Sequence, residues 1–529
     1  MSLIAASMRS RRDPGGRVPP WARSGGPLRG PWRSTALSHN PGQRVRRPDR
    51  ARARAERGAG PRPLLAVLVA AGAAMVWFYL PVSALSVDVG APTRPVARAG
   101  LPWLSTDRAH IVDASGRTVL LRGFNDDALL EPGTVHPAPL DETDATMMQR
   151  SGFDSVRLPI AWSRLEPERG RFDTAYLEQI AAAVDLLNRH GMYVVLDMHF
   201  LDWSPRWGGS GAPRWAALPA VPDAQWWPWE SWRRHLSPAV QAAYSYFWLA
   251  PDWQRDFQQA WQMVAQRFRD DSGVAGYDLY NEPHPLPLPP GLFEKHWMWP
   301  LYARTIAALA QVDRNHLFIV EGTLFADFPT TVVPLHVRDL VYSPHIYTGS
   351  LVPPAFTGDR RPLQRHIAEQ AGEAAVVPAP MWPGELGIDH AQAGADQWAD
   401  TVLDAYDDLG VGWSWWQWRE DSGWAIRNAA GDHLDTDFLR HIARPYLVAA
   451  PRGISAGRGD GVTGTLHITV DAGHHAGEVV VGWPSLTLGA PRLVGTCLAA
   501  SDWDAAGSRV TLTLQGAAGC TIAVAAGAA

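Results

Sequence analysis

Eight short apolar runs recur between residues 118 and 418, and each run ends in polar or aromatic residues. They are TVLLRGFN (118–125), DSVRLPI (154–160), YVVLDMH (193–199), VAGYDLYNEP (274–283), HLFIVEG (316–322), LVYSPHIY (340–347), PMWPGELG (380–387) and GVGWSWWQW (410–418). Runs of this length, separated by helical segments, predict the parallel strands of an α/β fold. Because eight units follow one another, we expect a closed (β/α)8 TIM barrel over residues 101–445.

Helical periodicity is clearest in two of the segments between these runs. One apolar stripe recurs every three or four residues and ends before Gly191; it consists of Leu177, Ile180, Val184 and Leu187. A second stripe consists of Trp253, Phe257, Trp261, Val264 and Phe268. Each stripe would pack one helix face on a sheet. A doubly wound open sheet is the alternative, but its nucleotide-binding versions have a glycine-rich loop after the first strand, and this chain has none there.

The hydrophobic pattern changes after Tyr446 to strict alternation. The alternating runs are GTLHITVDA (464–472), EVVVGW (478–483), RVTLTLQG (509–516) and CTIAVAAG (520–527). Alternation predicts a small β-sandwich over residues 446–529. The two cysteines of the chain, Cys497 and Cys520, both lie here, which favours a disulfide in an extracytoplasmic domain. This segment is either a support for the barrel, which we favour, or a carbohydrate-binding module.

The first hundred residues have a different character. Residues 1–62 are rich in Arg, Pro, Gly and Ser and predict a disordered basic segment. Residues 63–85 predict a transmembrane helix or signal anchor, because no charge occurs from Leu64 to Leu85. The arginine-rich flank predicts a single-pass protein of the cell membrane with its folded domains outside the cytoplasm. Val82-Ser83-Ala84 leaves open a cleaved signal peptide and secretion, and residues 86–100 predict a linker.

Charge and composition narrow the classes of function. Residues 1–62 hold 15 arginines and 3 acidic residues, so the rest of this 529-residue chain carries a net charge of −17. A folded part with this charge is not expected to bind nucleic acid. The chain also contains 26 tryptophans, whose flat faces suit sugar rings and lipid boundaries.

Polar and aromatic residues cluster at the carboxyl ends of the predicted strands. They are Asn125, Arg157, His199, Asn281, Glu282, Glu321, His345, Tyr347, Glu385 and Trp416. In a barrel these ends form one rim, which is where barrel enzymes place their catalytic residues. A polar and aromatic rim is a poor core but a suitable sugar site. The histidines are dispersed without metal-ligand spacing, so neither a metal nor another cofactor is expected.

Glu282 and Glu385 end the fourth and seventh runs and would face each other across the barrel mouth. Glycosidic hydrolysis needs one carboxylic acid to protonate the leaving oxygen and a second carboxylate below the sugar. A gap of about 5–5.5 Å gives retention of configuration, and a gap of about 6.5–9.5 Å gives inversion. Glu321 is a competing third carboxylate.

The motif YDLYNEP, followed about a hundred residues later by WPGELG, resembles the retaining clan-A glycoside hydrolases, particularly the cellulase-like family five. The resemblance implies that Glu282 is the acid/base and Glu385 the nucleophile. It also implies that Asn281 binds the sugar 2-hydroxyl, that Arg157 keeps the nucleophile ionised and that Tyr347 donates to it. His199 and His345 would line the sugar subsite, and Trp416 would form its platform.

Residues 196–216, 235–268 and 443–451 are more similar to endoglycoceramidases than to plain cellulases. This resemblance covers roughly residues 100–455 and implies a retaining endo-β-glycosidase acting on a glycolipid, with the membrane contacted through the N-terminal helix. An endo-β-1,4-glucanase and a non-catalytic glycan-binding barrel remain alternatives.

An aromatic group near the expected mouth either admits acyl chains or packs a lid on the barrel. Its members are Trp226, Trp227, Trp229, Trp232, Tyr244, Phe247 and Trp248. Phe200-Leu201 replaces the polar pair that usually follows the strand-three histidine in these enzymes, and Asp126-Asp127 follows Asn125. Both departures indicate a subsite preference of this chain's own.

Overall fold

The computed structural model describes residues 83–130, 139–217, 237–285, 288, 291–324, 330–352, 354–473, 477–515 and 519–527. The predicted disordered segment 1–62 lies outside the described residues, as does the predicted membrane helix 63–85 except for its last three positions. Within the described ranges, no helix combines the length and the apolar character needed to cross a membrane.

A barrel of eight parallel strands forms the centre of the fold. The strands are β1 (Arg122–Asn125), β2 (Ser155–Ile160), β3 (Tyr193–Met198), β4 (Val274–Asp278), β5 (Leu317–Val320), β6 (Leu340–Tyr342 and His345–Ile346), β7 (Glu385–Leu386) and β8 (Trp413–Trp415). The first half of β6 pairs with β5 and its second half with β7, which closes the sheet. Pro344, which has no amide hydrogen to donate, lies at the interruption. The predicted (β/α)8 barrel is confirmed.

Helices alternate with these strands. The α-helices of the described barrel are Glu142–Arg150, Trp162–Leu165, Thr174–Arg189, Pro238–Leu249, Pro251–Phe268, Trp299–Leu309, Arg361–Val376, Ala395–Leu409 and Thr436–Ile442. Shorter turns are Pro205–Trp207, Arg214–Ala216 and the π-helical Glu294–Met298. Both predicted apolar stripes are buried in the core. The Asp173 carboxylate caps the helix Thr174–Arg189 by accepting from the backbone N–H groups of Ala175 and Tyr176.

The C-terminal residues form two antiparallel sheets around a separate apolar core. Their strands are Tyr446–Ala450, Ile454–Ala456, Thr465–Val470, Glu478–Gly482, Pro491–Gly495, Leu498–Asp504, Arg509–Leu514 and Cys520–Ala526, with a short helix Ser485–Leu488. Strands Leu104–Asp107, His110–Asp113 and Thr118–Val119, which we expected in the barrel, extend one of these sheets. Cys497 and Cys520 form a disulfide with a Cα–Cα distance of 6.2 Å.

Residues 86–100, predicted as a linker, pack against the barrel. Leu85–Ser86 pairs in parallel with Leu335–His336. The Arg94 guanidinium donates to the carbonyl oxygen of Asn315, two residues before β5, at 3.1 Å. This segment therefore runs along the end of the barrel opposite the rim where the strands finish.

Asp154 is a buried carboxyl where the barrel meets the C-terminal sheet. Burial raises its pKa to about 6, although the positive charges of Arg509 and Arg122 act in the opposite direction. The pKa of an aspartate in the unfolded chain is about 3.9. Ionisation of Asp154 therefore makes the folded state less stable as the pH rises from about 4 to about 6.

We expect Asp154→Asn to be more stable than the unsubstituted chain at pH 7, by up to about 3 kcal/mol, because two pKa units correspond to that free energy. The asparagine oxygen can still accept from the Arg122 backbone N–H, which lies 2.7 Å from Asp154 Oδ1. Urea unfolding of both proteins between pH 4 and pH 7.5 measures the effect. The difference should vanish near pH 4; a difference that stays constant across this range would contradict the expectation.

Candidate active site

The ends of the barrel strands bring the predicted polar residues to one rim. Asn125 and Arg157 lie opposite each other on β1 and β2. His345 and Glu385 are paired in the same way on β6 and β7. Glu282 follows β4 and reaches the same place, since its Oε1 lies 2.9 Å from His345 Nδ1.

The carboxylates of Glu282 and Glu385 are close together. One oxygen of each lies within 4.8 Å of the other and of a His345 ring nitrogen. This separation is well below the gap of about 6.5–9.5 Å that accommodates a water molecule in inverting enzymes. The Glu282 side chain is 22% exposed and that of Glu385 is 6% exposed, so neither is completely closed off from solvent.

His345 lies between the two carboxylates and is buried. Burial disfavours its charged form, but the carboxylates of Glu321 and Glu385 outweigh this and raise the pKa of His345 well above its usual value. The three side chains have a spacing that could hold a metal ion, which their positions in the sequence did not suggest. The raised pKa of His345 favours a protonated imidazole between the two carboxylates.

Both oxygens of Glu385 accept hydrogen bonds. Arg157 Nη1 donates to Oε1 at 2.7 Å, and the Tyr347 hydroxyl donates to Oε2 at 2.9 Å. Burial and the charge of Glu385 raise the pKa of Tyr347 well above its usual value, so the hydroxyl keeps its proton as a donor. The two donors stabilise Glu385 as a carboxylate.

Arg157 is completely buried and is the hub of the rim. Burial opposes its charge, but the surrounding carboxylates raise the pKa of the guanidinium well above its usual value. Its partners besides Glu385 are Asn125 Oδ1 (3.0 Å), Asn281 Oδ1 (2.9 Å), Asp278 Oδ2 (2.9 Å), Glu321 Oε1 (2.8 Å) and Asp197 Oδ1 (3.2 Å). One guanidinium thus connects its own strand, β2, to residues on or directly after five other strands of the barrel.

Asp197 and Asp278 are site residues that the sequence analysis did not single out. Each lies near the end of a buried strand whose other positions are largely apolar, VVLDM and VAGYD. A carboxylate in such a strand requires a cationic partner, and Arg157 is that partner here. Charge inside an apolar run was the signal that could have identified both.

His199 and Trp416 pack against each other on another part of the rim. Their rings are stacked with centroids 5.6 Å apart and an interplanar angle of 15°. Burial opposes protonation of His199, but the adjacent Asp197 carboxylate raises its pKa. Trp416 is partly exposed, whereas Trp413, Trp415 and Trp418 are buried, so Trp416 is the member of this tryptophan group that can meet a ligand.

The aromatic group expected near the mouth is only partly described. Trp226, Trp227, Trp229 and Trp232 lie outside the described residues. Tyr244, Phe247 and Trp248 are buried in the barrel core and do not form an open apolar surface. Phe200 and Leu201, which replace the usual polar pair, lie in different environments. Phe200 is stacked on Tyr280 with ring centroids 4.3 Å apart, and Leu201 is 38% exposed.

An eight-stranded barrel with two carboxylates this close at its rim is the architecture of a glycoside hydrolase. The family model described as cellulase (glycosyl hydrolase family 5) matches residues 112–422, more than half of the chain. The chain therefore belongs to glycosyl hydrolase family 5.

Among individual proteins, the chain is similar to endoglycoceramidase I of Rhodococcus hoagii, with 32% identity over 46% of this chain and 52% of the relative. It is 26% identical to an endoglycoceramidase of Hydra vulgaris over 41% of this chain and 49% of the relative. The chain thus spans about half the length of these relatives.

Two solved structures resemble nearly the whole described fold. Endo-glycoceramidase II from Rhodococcus sp. has a TM-score of 0.68 and 25% identity, covering 79% of this chain and 99% of that one. An endogalactoceramidase has a TM-score of 0.66 and 28% identity, covering 80% of this chain and 100% of that one.

Proposed function

We propose that this chain is a retaining endo-β-glycosidase that hydrolyses the bond between the sugar and the lipid of a glycolipid. The observation that carries the proposal is the approach of the Glu282 and Glu385 carboxylates to within 4.8 Å. That distance is shorter than the gap of about 6.5–9.5 Å that inverting enzymes need and suits direct attack by one carboxylate.

In the first half of the reaction, a Glu385 oxygen attacks the anomeric carbon from one face of the sugar. The bond from that carbon to the lipid oxygen breaks, and Glu282 transfers its proton to this oxygen, so that the lipid leaves as a neutral alcohol. The sugar remains as an ester on Glu385. Arg157 and Tyr347 hold Glu385 in place, since both donate to its oxygens before attack.

In the second half, Glu282 is ionised and accepts a proton from water as the water oxygen attacks the anomeric carbon. The ester bond to Glu385 breaks, and the sugar departs with its original configuration after two inversions. We assign Asn281 to the sugar 2-hydroxyl, and the stacked His199 and Trp416 to the ring itself, because aromatic faces bind the apolar faces of sugars.

The glycolipid substrate is supported by likeness to proteins named endoglycoceramidase and endogalactoceramidase. We also propose that residues 63–85 hold the enzyme at a membrane, with secretion after cleavage as the alternative.

The substrate assignment predicts that the full chain in detergent releases ceramide from glucosylceramide or lactosylceramide faster than it cleaves cellotetraose. The released sugar should appear first as the β-anomer, which NMR detects before mutarotation. The Glu282→Gln, Glu385→Gln double variant serves as the control. Faster cleavage of cellotetraose would indicate a glucanase. An initial α-anomer would exclude retention of configuration. No product above the control from any substrate would indicate a glycan-binding barrel.

A further inference from the structure

Glu321 connects Arg157 to the backbone of Glu282 through its two carboxylate oxygens. Its Oε1 accepts from Arg157 Nη2 at 2.8 Å, and its Oε2 accepts from the backbone N–H of Glu282 at 2.7 Å. The side chain is only 2% exposed. The guanidinium that holds Glu385 is therefore tied, through one carboxylate, to the backbone of Glu282.

The Glu282 backbone needs such a contact. Its φ angle is +43°, in the left-handed region, which is unfavourable by roughly 1–2 kcal/mol for a residue with a Cβ atom. A residue persists in this region only when its surroundings hold it there. The hydrogen bond from the Glu282 N–H to Glu321 is a direct restraint on this conformation.

Glu321 is itself held rigidly. The Tyr302 hydroxyl donates to the Glu321 carbonyl oxygen and accepts from the Glu321 N–H, both at 3.2 Å. Burial and the negative charge of Glu321 raise the pKa of neighbouring Asp278 well above its usual value. Asp278 therefore interacts directly with Glu321, and His345 Nε2 lies 3.4 Å from Glu321 Oε1.

We propose that Glu321 is a positioning residue that fixes the backbone of Glu282 and thereby sets the placement of its carboxyl group relative to Glu385. The proposal rests on the function proposed above and assigns Glu321 a part in proton transfer without contact to the substrate. Glutamine cannot replace it, because one of its two head-group atoms is an NH2 donor. That NH2 would face either the Arg157 guanidinium or the Glu282 N–H.

The test uses aryl β-glycosides whose leaving groups differ in acidity. Dinitrophenolate leaves without a proton, whereas phenol requires proton transfer from Glu282. We expect Glu321→Gln to lower kcat/KM about 100-fold for the phenyl glycoside and less than about 5-fold for the dinitrophenyl glycoside, within the range of general acid catalysis. We also expect azide to raise kcat of this variant on the dinitrophenyl substrate, because azide attacks the sugar ester without a base.

Asp197→Asn is the matched control. It alters another buried partner of Arg157, with a 3.2 Å contact, whose other oxygen lies 2.8 Å from His199 Nδ1 rather than at the Glu282 backbone. We expect it to lower kcat/KM by the same factor for both leaving groups.

Equal factors for both leaving groups in Glu321→Gln would overturn the proposal. If circular dichroism shows that this variant does not fold, Glu321→Asp is compared in the same way, because aspartate keeps the charge but is one methylene shorter. Equal factors for both leaving groups in Glu321→Asp would also overturn the proposal. Absence of hydrolysis of every glycoside by the unsubstituted chain would instead refute the proposed function.

Discussion

Glutamine at position 385 is expected to lower kcat/KM by about 10⁴-fold or more, for lactosylceramide and for aryl β-glycosides alike. The amide is isosteric with the carboxylate but is not a nucleophile, so the sugar ester cannot form. In the unsubstituted chain, both oxygens of Glu385 accept hydrogen bonds, from Arg157 at 2.7 Å and from Tyr347 at 2.9 Å. The amide NH2 of glutamine would disrupt one of these contacts. The loss should therefore be independent of leaving-group acidity.

Trapping identifies the nucleophile directly. A 2-deoxy-2-fluoroglycosyl fluoride should add one sugar to the unsubstituted chain, on the peptide that contains Glu385, as measured by mass spectrometry. Glu282→Gln is the matched control, because fluoride leaves without a proton and the adduct should still form on Glu385. A sugar attached to Glu282 or Glu321 would reverse or replace the assignment.

The rim was predictable from the sequence because parallel strands constrain where their ends lie. Glu282 and Glu385 are distant in sequence, but Glu282 follows the strand Val274–Asp278 and Glu385 lies in the strand Glu385–Leu386. Closure of the barrel brings all such ends to one face. The order of the runs was therefore enough to place both residues in one mouth.

The distance between them was not predictable. It depends on the left-handed backbone at Glu282, on the contact of its N–H with Glu321, 39 residues away, and on the interruption of β6 between Tyr342 and His345. Each is a tertiary property with no local sequence signature. Hydrophobic periodicity reports which face of a strand is buried, but it does not report angstrom-scale separations.

The sequence also did not show which strand pairs with the first hairpin, residues 104–119. The strands within residues 104–119 read LSTD, HIVD and TV, and such short runs do not identify a partner strand. The strand Tyr446–Ala450 supplies that partner from the other end of the chain, with Ala449 opposite Val119. Sequence order therefore assigned this hairpin to the barrel, whereas it extends the C-terminal sheet.

Tryptophan content was a weak guide to the site. Ten tryptophans are among the largest fully buried side chains, so much of the excess packs the interior. Trp416 is distinguished by partial exposure and by its stacking on His199. Position at a strand end, rather than abundance, singled out the aromatic residue that we propose binds the sugar.

Arg157→Met is expected to abolish activity and to destabilise the fold by about 3–5 kcal/mol, the usual cost of removing one partner from a buried ion pair. The substitution leaves a long apolar side chain in a fully buried position that four carboxylates surround. They are Asp197, Asp278, Glu321 and Glu385. Burial and the charge of Glu321 raise the pKa of Asp278 well above its usual value, although the Arg157 charge opposes the shift, so removing the guanidinium raises it further.

The sign of the pH dependence follows from that shift. Carboxyls with raised folded-state pKa values bind protons that the unfolded chain has released, so the variant loses stability as the pH rises above about 4. Urea unfolding between pH 4.5 and pH 7.5 should show a deficit that is smallest at the acidic end. Arg157→Lys is the matched control, because a lysine keeps the charge but lacks the planar fork of donors, and we expect a smaller deficit with weaker pH dependence. A pH-independent deficit in Arg157→Met would mean that lost packing, rather than unpaired buried charge, accounts for the instability.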